Sequence, residues 1–199
     1  IDHDYKFPNF KEINSEIVIE PLDFGELIDF EKIIEHAQPN QTIRLLSGVY
    51  NLHQPINLNK SVNLIVVEPD SVIINGGEMD SIINFSTNGK LNLKNLNLQL
   101  STLNNSNVVI INSGEFECEN CSFILAHDQD DKRYDFGAGI SLKGESKANI
   151  QNSKFKHNSF GIAVLNQATA NIQECNFTKN GYGIIFRDES TGNVYKNQF

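Results

Sequence analysis

The 199-residue chain is 39% hydrophobic and 21% charged, with a formal net charge of −9, and it is long enough for a domain with a sizeable core. The acidic balance argues against nucleic acid as a partner, because binding to its backbone depends on clustered Lys and Arg. No run reaches the roughly 18 apolar residues that a membrane span requires, so no spanning segment is predicted.

Residues 1–25 carry no repeat and are predicted to form an N-terminal arm or linker, in which EIVIE at residues 16–20 is compatible with an edge strand. The main domain is predicted to cover residues 26–199. A short helix is expected near its start, with Asp29 as the N-cap and Pro39 just beyond the end. One apolar face of this helix follows from the i, i+3, i+4, i+7 spacing of Phe30, Ile33, Ile34 and Ala37.

Short runs that alternate apolar and polar residues follow the helix at residues 42–59, 61–86 and 91–112. Such alternation predicts strands, because successive side chains of a strand point to opposite faces. Each range contains several short strands, so each is assigned to one coil of a repeating architecture.

A direct repeat follows. ANIQNSKFKHNSFGIAVLNQAT begins at residue 148, ANIQECNFTKNGYGIIFRDEST at residue 170 and a third copy at residue 192, so the period is 22 residues (170 − 148 = 22). A fixed period of about 20–50 residues is the mark of a repeat architecture. Five segments share this register, and each ends on an apolar residue: Leu98, Phe123, Phe155, Phe177 and Phe199.

Glycine and asparagine recur at the same period. Gly139, Gly161 and Gly183 each open a strand. Asn158 and Asn180 precede two of these strands, where asparagine suits a sharp bend and can stack into an amide ladder. Three short strands in 22 residues describe one coil of a right-handed parallel β-helix. The prediction is an all-β solenoid of about six coils, capped by the N-terminal helix.

These features resemble the right-handed β-helix proteins of the pectate-lyase-like superfamily, in particular the short-coil repeats shared by carbohydrate-binding proteins and sugar hydrolases. FEKIIEHAQPNQTIRLLSGVYNL, residues 30–52, is similar to the start of many such proteins, with a helix, a turn and a strand ending in SGVY. The resemblance covers roughly residues 26–199. For an enzyme it implies Asp or Glu ligands for Ca²⁺ and an Arg or Lys base on one strand face.

The outward positions of that face are mostly amides, which cannot act as general acids or bases. Glu117 and Glu119 form the best carboxylate pair, about 7 Å apart as i and i+2 on a strand. A pair at this separation fits the general requirement of a glycoside hydrolase. The favoured interpretation is nevertheless that they are exposed strand charges, so no catalytic residue is predicted.

A loop is predicted where the period is interrupted. From residue 116 to residue 148 the spacing is 32 (148 − 116 = 32), and the surplus corresponds to AHDQDDKRYD, residues 126–135. Loops on a rigid scaffold are common binding sites. The loop lacks the Asp spacing and the Gly of an EF-hand, so no cofactor is predicted, with Ca²⁺ as the alternative. The predicted binding residues are Asp128, Asp130, Asp131, Lys132, Arg133 and Tyr134, together with Arg187 and Asp188 in the turn after the last glycine strand.

Cys118, Cys121 and Cys175 are interpreted as core residues, because no second pair of ligands follows the C-x-x-C motif at a zinc-site spacing. The predicted function is that of a non-catalytic recognition module for a protein or a polysaccharide. A polysaccharide lyase, hydrolase or epimerase is the alternative. The last copy of the repeat stops within a strand at Phe199, which predicts a truncated C-terminal end that can self-associate end to end.

Overall fold

A computed structural model describes residues 10–23, 25–129 and 136–199, and nearly all of its regular structure is β-strand. The strands form a solenoid whose three sides are here called faces A, B and C. Face A is a seven-stranded sheet. It consists of β3 (Leu27–Ile28), β5 (Gly48–Leu52), β8 (Val72–Asn75), β10 (Asn97–Gln99), β12 (Ser122–Ile124), β15 (Lys154–Lys156) and β18 (Asn176–Thr178).

Faces B and C belong to one thirteen-stranded sheet that bends around the core. Face B contains β2 (Glu16–Ile19), β4 (Gln41–Leu45), β7 (Val62–Ile65), β14 (Lys147–Gln151), β17 (Thr169–Gln173) and β20 (Thr191–Tyr195). Face C contains β6 (Ile56–Leu58), β13 (Ala138–Leu142), β16 (Phe160–Val164) and β19 (Tyr182–Phe186). Two long strands, β9 (Ser81–Lys94) and β11 (Asn107–Glu119), run from face C into face B.

The chain visits faces B, A and C in turn, and each strand pairs in parallel with its equivalent in the next coil. This arrangement is the parallel β-helix that the 22-residue period predicts. β1 (Phe10–Ile13) is the exception among the described strands, since it runs antiparallel to β2 and covers the edge of face B.

The solenoid has about seven turns, one more than predicted. The additional turn begins with β2, whose sequence was expected at most to form an edge strand outside the repeat. β2 pairs in parallel with β4, and β3 follows on face A. The third side of this turn is a helix, α1 (Glu31–His36), which lies next to β6.

Helix α1 covers the first apolar layer as predicted. Phe30, Ile33, Ile34 and Ala37 are buried. The N-cap position is Phe30 rather than Asp29, although the Asp29 carboxylate still accepts a hydrogen bond of 2.8 Å from the Glu31 N–H. At the other end, the Lys60 ammonium donates to the carbonyls of Glu35 and Ala37, at 3.3 and 3.0 Å.

A column of stacked phenylalanines forms the core beneath face A. The rings of Phe123, Phe155, Phe177 and Phe199 follow one another at centroid distances of 5.0, 4.9 and 5.1 Å. The glycine strand passes directly beside this column. A Cβ atom added to Gly161 would lie 2.5 Å from Phe177 Cδ1 and 2.4 Å from the Gly183 carbonyl oxygen. Glycine recurs at this position because a side chain would clash with the phenylalanine column and with the next strand.

The predicted amide ladder is present at the bend between faces A and C. The Asn158 side-chain nitrogen donates to Asn180 Oδ1 at 3.1 Å and to the Phe123 carbonyl at 3.1 Å. The left-handed backbone at this bend is adopted by His157 and Lys179, with φ of 58° and 55°. The asparagines therefore stabilise the bend by hydrogen bonds, and the residues that precede them adopt its left-handed backbone conformation.

The three cysteines are buried free thiols, which confirms their interpretation as core residues. Ser153 stands between Cys121 and Cys175, and its Oγ accepts a hydrogen bond of 3.2 Å from the Cys121 N–H. Burial raises the pKa of Cys118 well above its usual value and raises the pKa of Cys175 to about 11.

Candidate functional site

Face B carries two rows of outward side chains that run along the solenoid axis. The strand register confirms that the residues of each row are equivalent positions in successive coils. The Asn row consists of Asn92, Glu117, Asn149, Asn171 and Asn193. The Gln row consists of Lys94, Glu119, Gln151, Gln173 and Tyr195.

Within each row the amides are hydrogen-bonded from coil to coil. Asn193 donates to Asn171 at 2.9 Å, and Asn171 donates to Asn149 at 3.0 Å. Gln173 donates to Gln151 at 2.8 Å, and the Tyr195 hydroxyl bonds to the Gln173 side-chain oxygen. These contacts fix the orientation of the Asn171 and Gln173 amides, because each has a donor group facing one neighbour and an acceptor facing the other.

The two rows border a furrow of about 840 Å³ that extends over five coils. At about 4.8 Å per coil its length is about 19 Å. A second furrow of about 510 Å³ lies on the other side of the Asn row. Its outer border is formed by Glu115, Lys147, Thr169 and Thr191. The Asn row is therefore a ridge between two parallel channels.

Glu117 and Glu119 lie in the furrow, and each contacts a lysine of the preceding coil. Lys90 Nζ is 2.6 Å from Glu117 Oε1, and Lys94 Nζ is 2.7 Å from Glu119 Oε2. Both carboxylates are partly exposed. The furrow thus has two ion pairs toward its N-terminal end, amides in the middle and Tyr195 at the C-terminal end.

Asp128 and the Arg187–Asp188 pair are not brought together. Asp128 precedes face C, where its N–H donates to Ser159 Oγ at 3.0 Å. Arg187 and Asp188 follow the last residue of β19, at the other end of that face. The five residues of β19 separate the two places by about 16 Å. Asp130, Asp131, Lys132, Arg133 and Tyr134 lie outside the described residues.

Asp188 also has a structural contact. Its Oδ2 accepts a hydrogen bond of 3.2 Å from the Asn166 N–H one coil earlier, as Asn166 Oδ1 does from the Gly144 N–H. All three residues have a left-handed backbone. The turn between faces C and B is therefore stabilised by its own ladder of side-chain acceptors.

Sequence reasoning did not find Lys90, Lys147, Thr169 and Thr191 as residues of this surface. The signal for three of them was present, because residues 147, 169 and 191 are spaced by 22 and precede each predicted strand. Lys90 could not be found in this way, since its contact with Glu117 is diagonal and depends on side-chain conformation.

In the described parts of the chain, no group of three or more His, Cys, Asp and Glu side chains is placed to hold a metal ion. The Ca²⁺ alternative concerned the loop at 126–135, most of which lies outside these parts. The described residues also contain no helix that is both long and apolar enough to span a membrane.

Comparison with known proteins agrees with this architecture. Residues 81–199, more than half of the chain, match the family described as "right handed beta helix region". The chain belongs to the right-handed β-helix family. No curated protein sequence matches it.

Among solved structures, the chain is similar to a mutant of the PL6 family alginate lyase AlyGC, with a TM-score of 0.52 and 12% sequence identity. The similarity covers 100% of this chain and 41% of the lyase, so the chain spans less than half of that protein's length. At this identity the similarity shows a shared fold alone, so this chain resembles the alginate lyase in architecture.

Proposed function

We propose that this β-helix is a recognition module that binds a glycan in the furrow between the Asn and Gln rows. The oriented amide ladder carries the proposal. A side-chain amide has two N–H donors and two acceptor lone pairs. The ladder contacts of Asn171 with Asn149 and Asn193 use one of each, which leaves one donor and one acceptor for a ligand. Sugar hydroxyls can satisfy both.

The shape of the furrow favours a linear ligand. It follows the solenoid axis, and the same amides recur along its middle, at Asn149 and Asn171 and at Gln151 and Gln173. Tyr195, which is 47% exposed, offers an aromatic surface at one end. An exposed aromatic ring suits the apolar face of a sugar, since its body is hydrophobic and its hydroxyl can form hydrogen bonds.

The architectural similarity to an alginate lyase also supports a carbohydrate ligand. The charged loop and the Arg187–Asp188 turn stay predicted contacts for a protein or glycan partner. They lie outside the furrow and do not take part in this proposal.

A binding screen tests the proposal. Neutral and acidic polysaccharides, alginate included, are measured by affinity electrophoresis and then by calorimetry. Asn171→Ala removes the central amide of the ladder and should weaken binding about tenfold, because hydrogen bonds of about 1 kcal/mol each are lost to the ligand and to the neighbouring amides.

Asn84→Ala is the matched control. Asn84 donates to Asn57 at 3.0 Å in an exposed amide pair on face C, so the substitution removes a similar contact away from the furrow. Equal losses in Asn171→Ala and Asn84→Ala, or no binding of any polysaccharide, would reject glycan recognition in the furrow.

A second candidate function is that of a polysaccharide lyase, hydrolase or epimerase. It is favoured by the two neighbouring ion pairs, Lys90 with Glu117 and Lys94 with Glu119, because lysines and carboxylates can transfer protons. Unsaturated products in an ultraviolet assay, or shortened or epimerised products by chromatography and NMR, would reveal such turnover. Turnover that is abolished by Glu117→Gln or Glu119→Gln would replace the recognition proposal.

A further inference from the structure

Face A has an unusual distribution of charge. The chain contains 25 acidic and 16 basic residues. Nevertheless, no Asp or Glu occurs in any of the seven face A strands, all of which are described. The carboxylates of the folded sheets are instead found on the other faces, as with Glu117 and Glu119.

Two lysines occupy the outward positions of β15. Lys154 and Lys156 flank Phe155, whose ring belongs to the core stack, so both lysines point to solvent. Residues at i and i+2 of a strand are about 7 Å apart. Both side chains therefore extend from the same short stretch of face A.

A third lysine adjoins them in the next coil. Lys156 pairs with Thr178 across the sheet, and Lys179 follows Thr178 in an exposed turn. The His157 N–H donates to the Thr178 carbonyl at 3.3 Å, which fixes the two turns against each other. Since neighbouring coils are about 4.8 Å apart, the Cα atoms of Lys156 and Lys179 lie roughly 6 Å from each other, and the three exposed lysines are here called the lysine triangle.

The lysine triangle lacks the carboxylate partners found elsewhere. Lys11, Lys90, Lys94 and Lys196 each form an ion pair with a glutamate. Among the described residues, none of the three lysines has a carboxylate within ion-pair distance. Within residues 10–23, 25–129 and 136–199 no ion pair neutralises these lysines, which leaves their charge available for an anionic ligand.

The surroundings of the triangle indicate the class of ligand. Asn176 donates to Gln198 at 3.2 Å and accepts from the Thr178 hydroxyl at 2.7 Å, so amides and a hydroxyl surround the lysines. The aromatic residues of the face A strands are buried: Tyr50, Phe123, Phe155 and Phe177. Single-stranded nucleic acids need exposed aromatic rings on which bases stack, and this face has none in its strands.

We infer that the lysine triangle on face A is a second binding surface, which takes a polyanionic glycan with closely spaced charged groups, such as sulfates. Lysines whose Cα atoms are roughly 6–7 Å apart match anions that are carried on the same or adjacent sugars. This surface is separate from the furrow on face B and does not depend on it. The protein can therefore hold two polysaccharide segments at once.

Dextran sulfate is the probe, and unmodified dextran is the matched neutral polymer. Three cation contacts predict that the logarithm of the binding constant falls with the logarithm of salt concentration with a slope of about −2 to −3, at roughly 0.7–0.9 per contact. Replacing Lys154 and Lys156 together by Glu should reduce affinity at least tenfold and flatten this slope.

The control replaces Lys11 and Lys143 together by Glu, which changes the net charge equally at positions away from face A. Circular dichroism verifies that both double variants fold. The inference is overturned if dextran sulfate does not bind, if plain dextran binds equally well, or if the control loses as much affinity. Tighter binding of a DNA oligonucleotide than of dextran sulfate would also overturn it.

Discussion

Asn171 donates a hydrogen bond of 3.0 Å to Asn149, its counterpart one coil earlier, across the surface of face B. Both side chains are exposed, so water could satisfy them equally well. Such a contact contributes little to stability, because the net gain of an exposed hydrogen bond is small. Its consequence is order, since the contacts along the row hold the Asn171 amide in one orientation between Asn149 and Asn193.

The buried ladder of Asn158 and Asn180, at the bend between faces A and C, should contribute more to stability. Asn158 Oδ1 accepts from the Ala126 N–H at 2.9 Å, and its amide donates to the Phe123 carbonyl. Asn158→Ala leaves both backbone groups buried without these partners, at a cost of about 1–3 kcal/mol each. We expect urea denaturation to show a loss of about 2–6 kcal/mol, the sum of the two costs. Asn171→Ala should change the free energy of unfolding by less than about 1 kcal/mol, and equal losses would refute the distinction.

The glycine beside the phenylalanine column gives a second prediction. A methyl group at Gly161 would meet the Gly183 carbonyl at 2.4 Å, and a carbonyl of the neighbouring strand cannot move without breaking the sheet. Gly161→Ala should lower the free energy of unfolding by about 1–3 kcal/mol, the usual range for overpacking.

Thermal unfolding measures this effect, and Gly77→Ala is the comparison. Gly77 has a φ of 58°, and a Cβ atom added to it would meet no atom within 4 Å, so its substitution tests backbone strain without a clash. A smaller loss at Gly161 than at Gly77 would contradict the argument from space.

The buried thiols should be unreactive in the folded protein. Burial raises the pKa of Cys175 to about 11 and raises the pKa of Cys118 well above its usual value, and the thiolate is the reactive form. At pH 9 only about 1% of the Cys175 thiol is therefore thiolate, so labelling by iodoacetamide should stay slow up to this pH until the chain unfolds. Rapid labelling of native protein at pH 8, detected by mass spectrometry, would show that the core opens locally.

The C-terminal coil is expected to be the least protected part of the solenoid. Val194 is 44% exposed and Phe199 76% exposed, although their counterparts Ile172 and Phe177 are buried. Hydrogen exchange should be faster in β20 than in β17, the equivalent strand one coil earlier. Equal protection of both strands would indicate a cover that the described residues do not show.

The same exposed edge makes association of the 199-residue polypeptide a prediction. At the N-terminal end β1 covers the edge of face B and α1 covers the first apolar layer, so contact should occur between two C-terminal coils and give a closed dimer rather than a fibre. Sedimentation should show a concentration-dependent dimer that Phe199→Ser weakens. Growth beyond the dimer would argue against covered N-terminal ends.

The repeat allowed much of this structure to be predicted. A period of 22 residues fixed the register of Phe155 with Phe177 and of Asn149 with Asn171, because strand pairing in a solenoid is local and repetitive. The additional coil that begins with β2 was not predicted, because α1 takes the place of its face C strand and interrupts the pattern of alternating apolar and polar residues. The contacts of Asp188 with Asn166 and of Lys90 with Glu117 were also beyond the sequence. Outward side chains are not constrained by packing, and their partners depend on conformations that periodicity does not encode.

The passage of β9 and β11 from face C into face B without an intervening turn has a mechanical consequence. In these two coils the pairing of β9 with β11 extends over both faces, with register shifts between Ile111 and Glu115, so a twist imposed on the furrow near Glu117 is transmitted to face C. Later coils connect the same faces through separate turns, such as residues 143–146 between β13 and β14. A ligand that spans the furrow would thus contact a stiffer part of the sheet at the N-terminal end, where β9 and β11 lie. At the C-terminal end it would contact strands that can shift independently of face C.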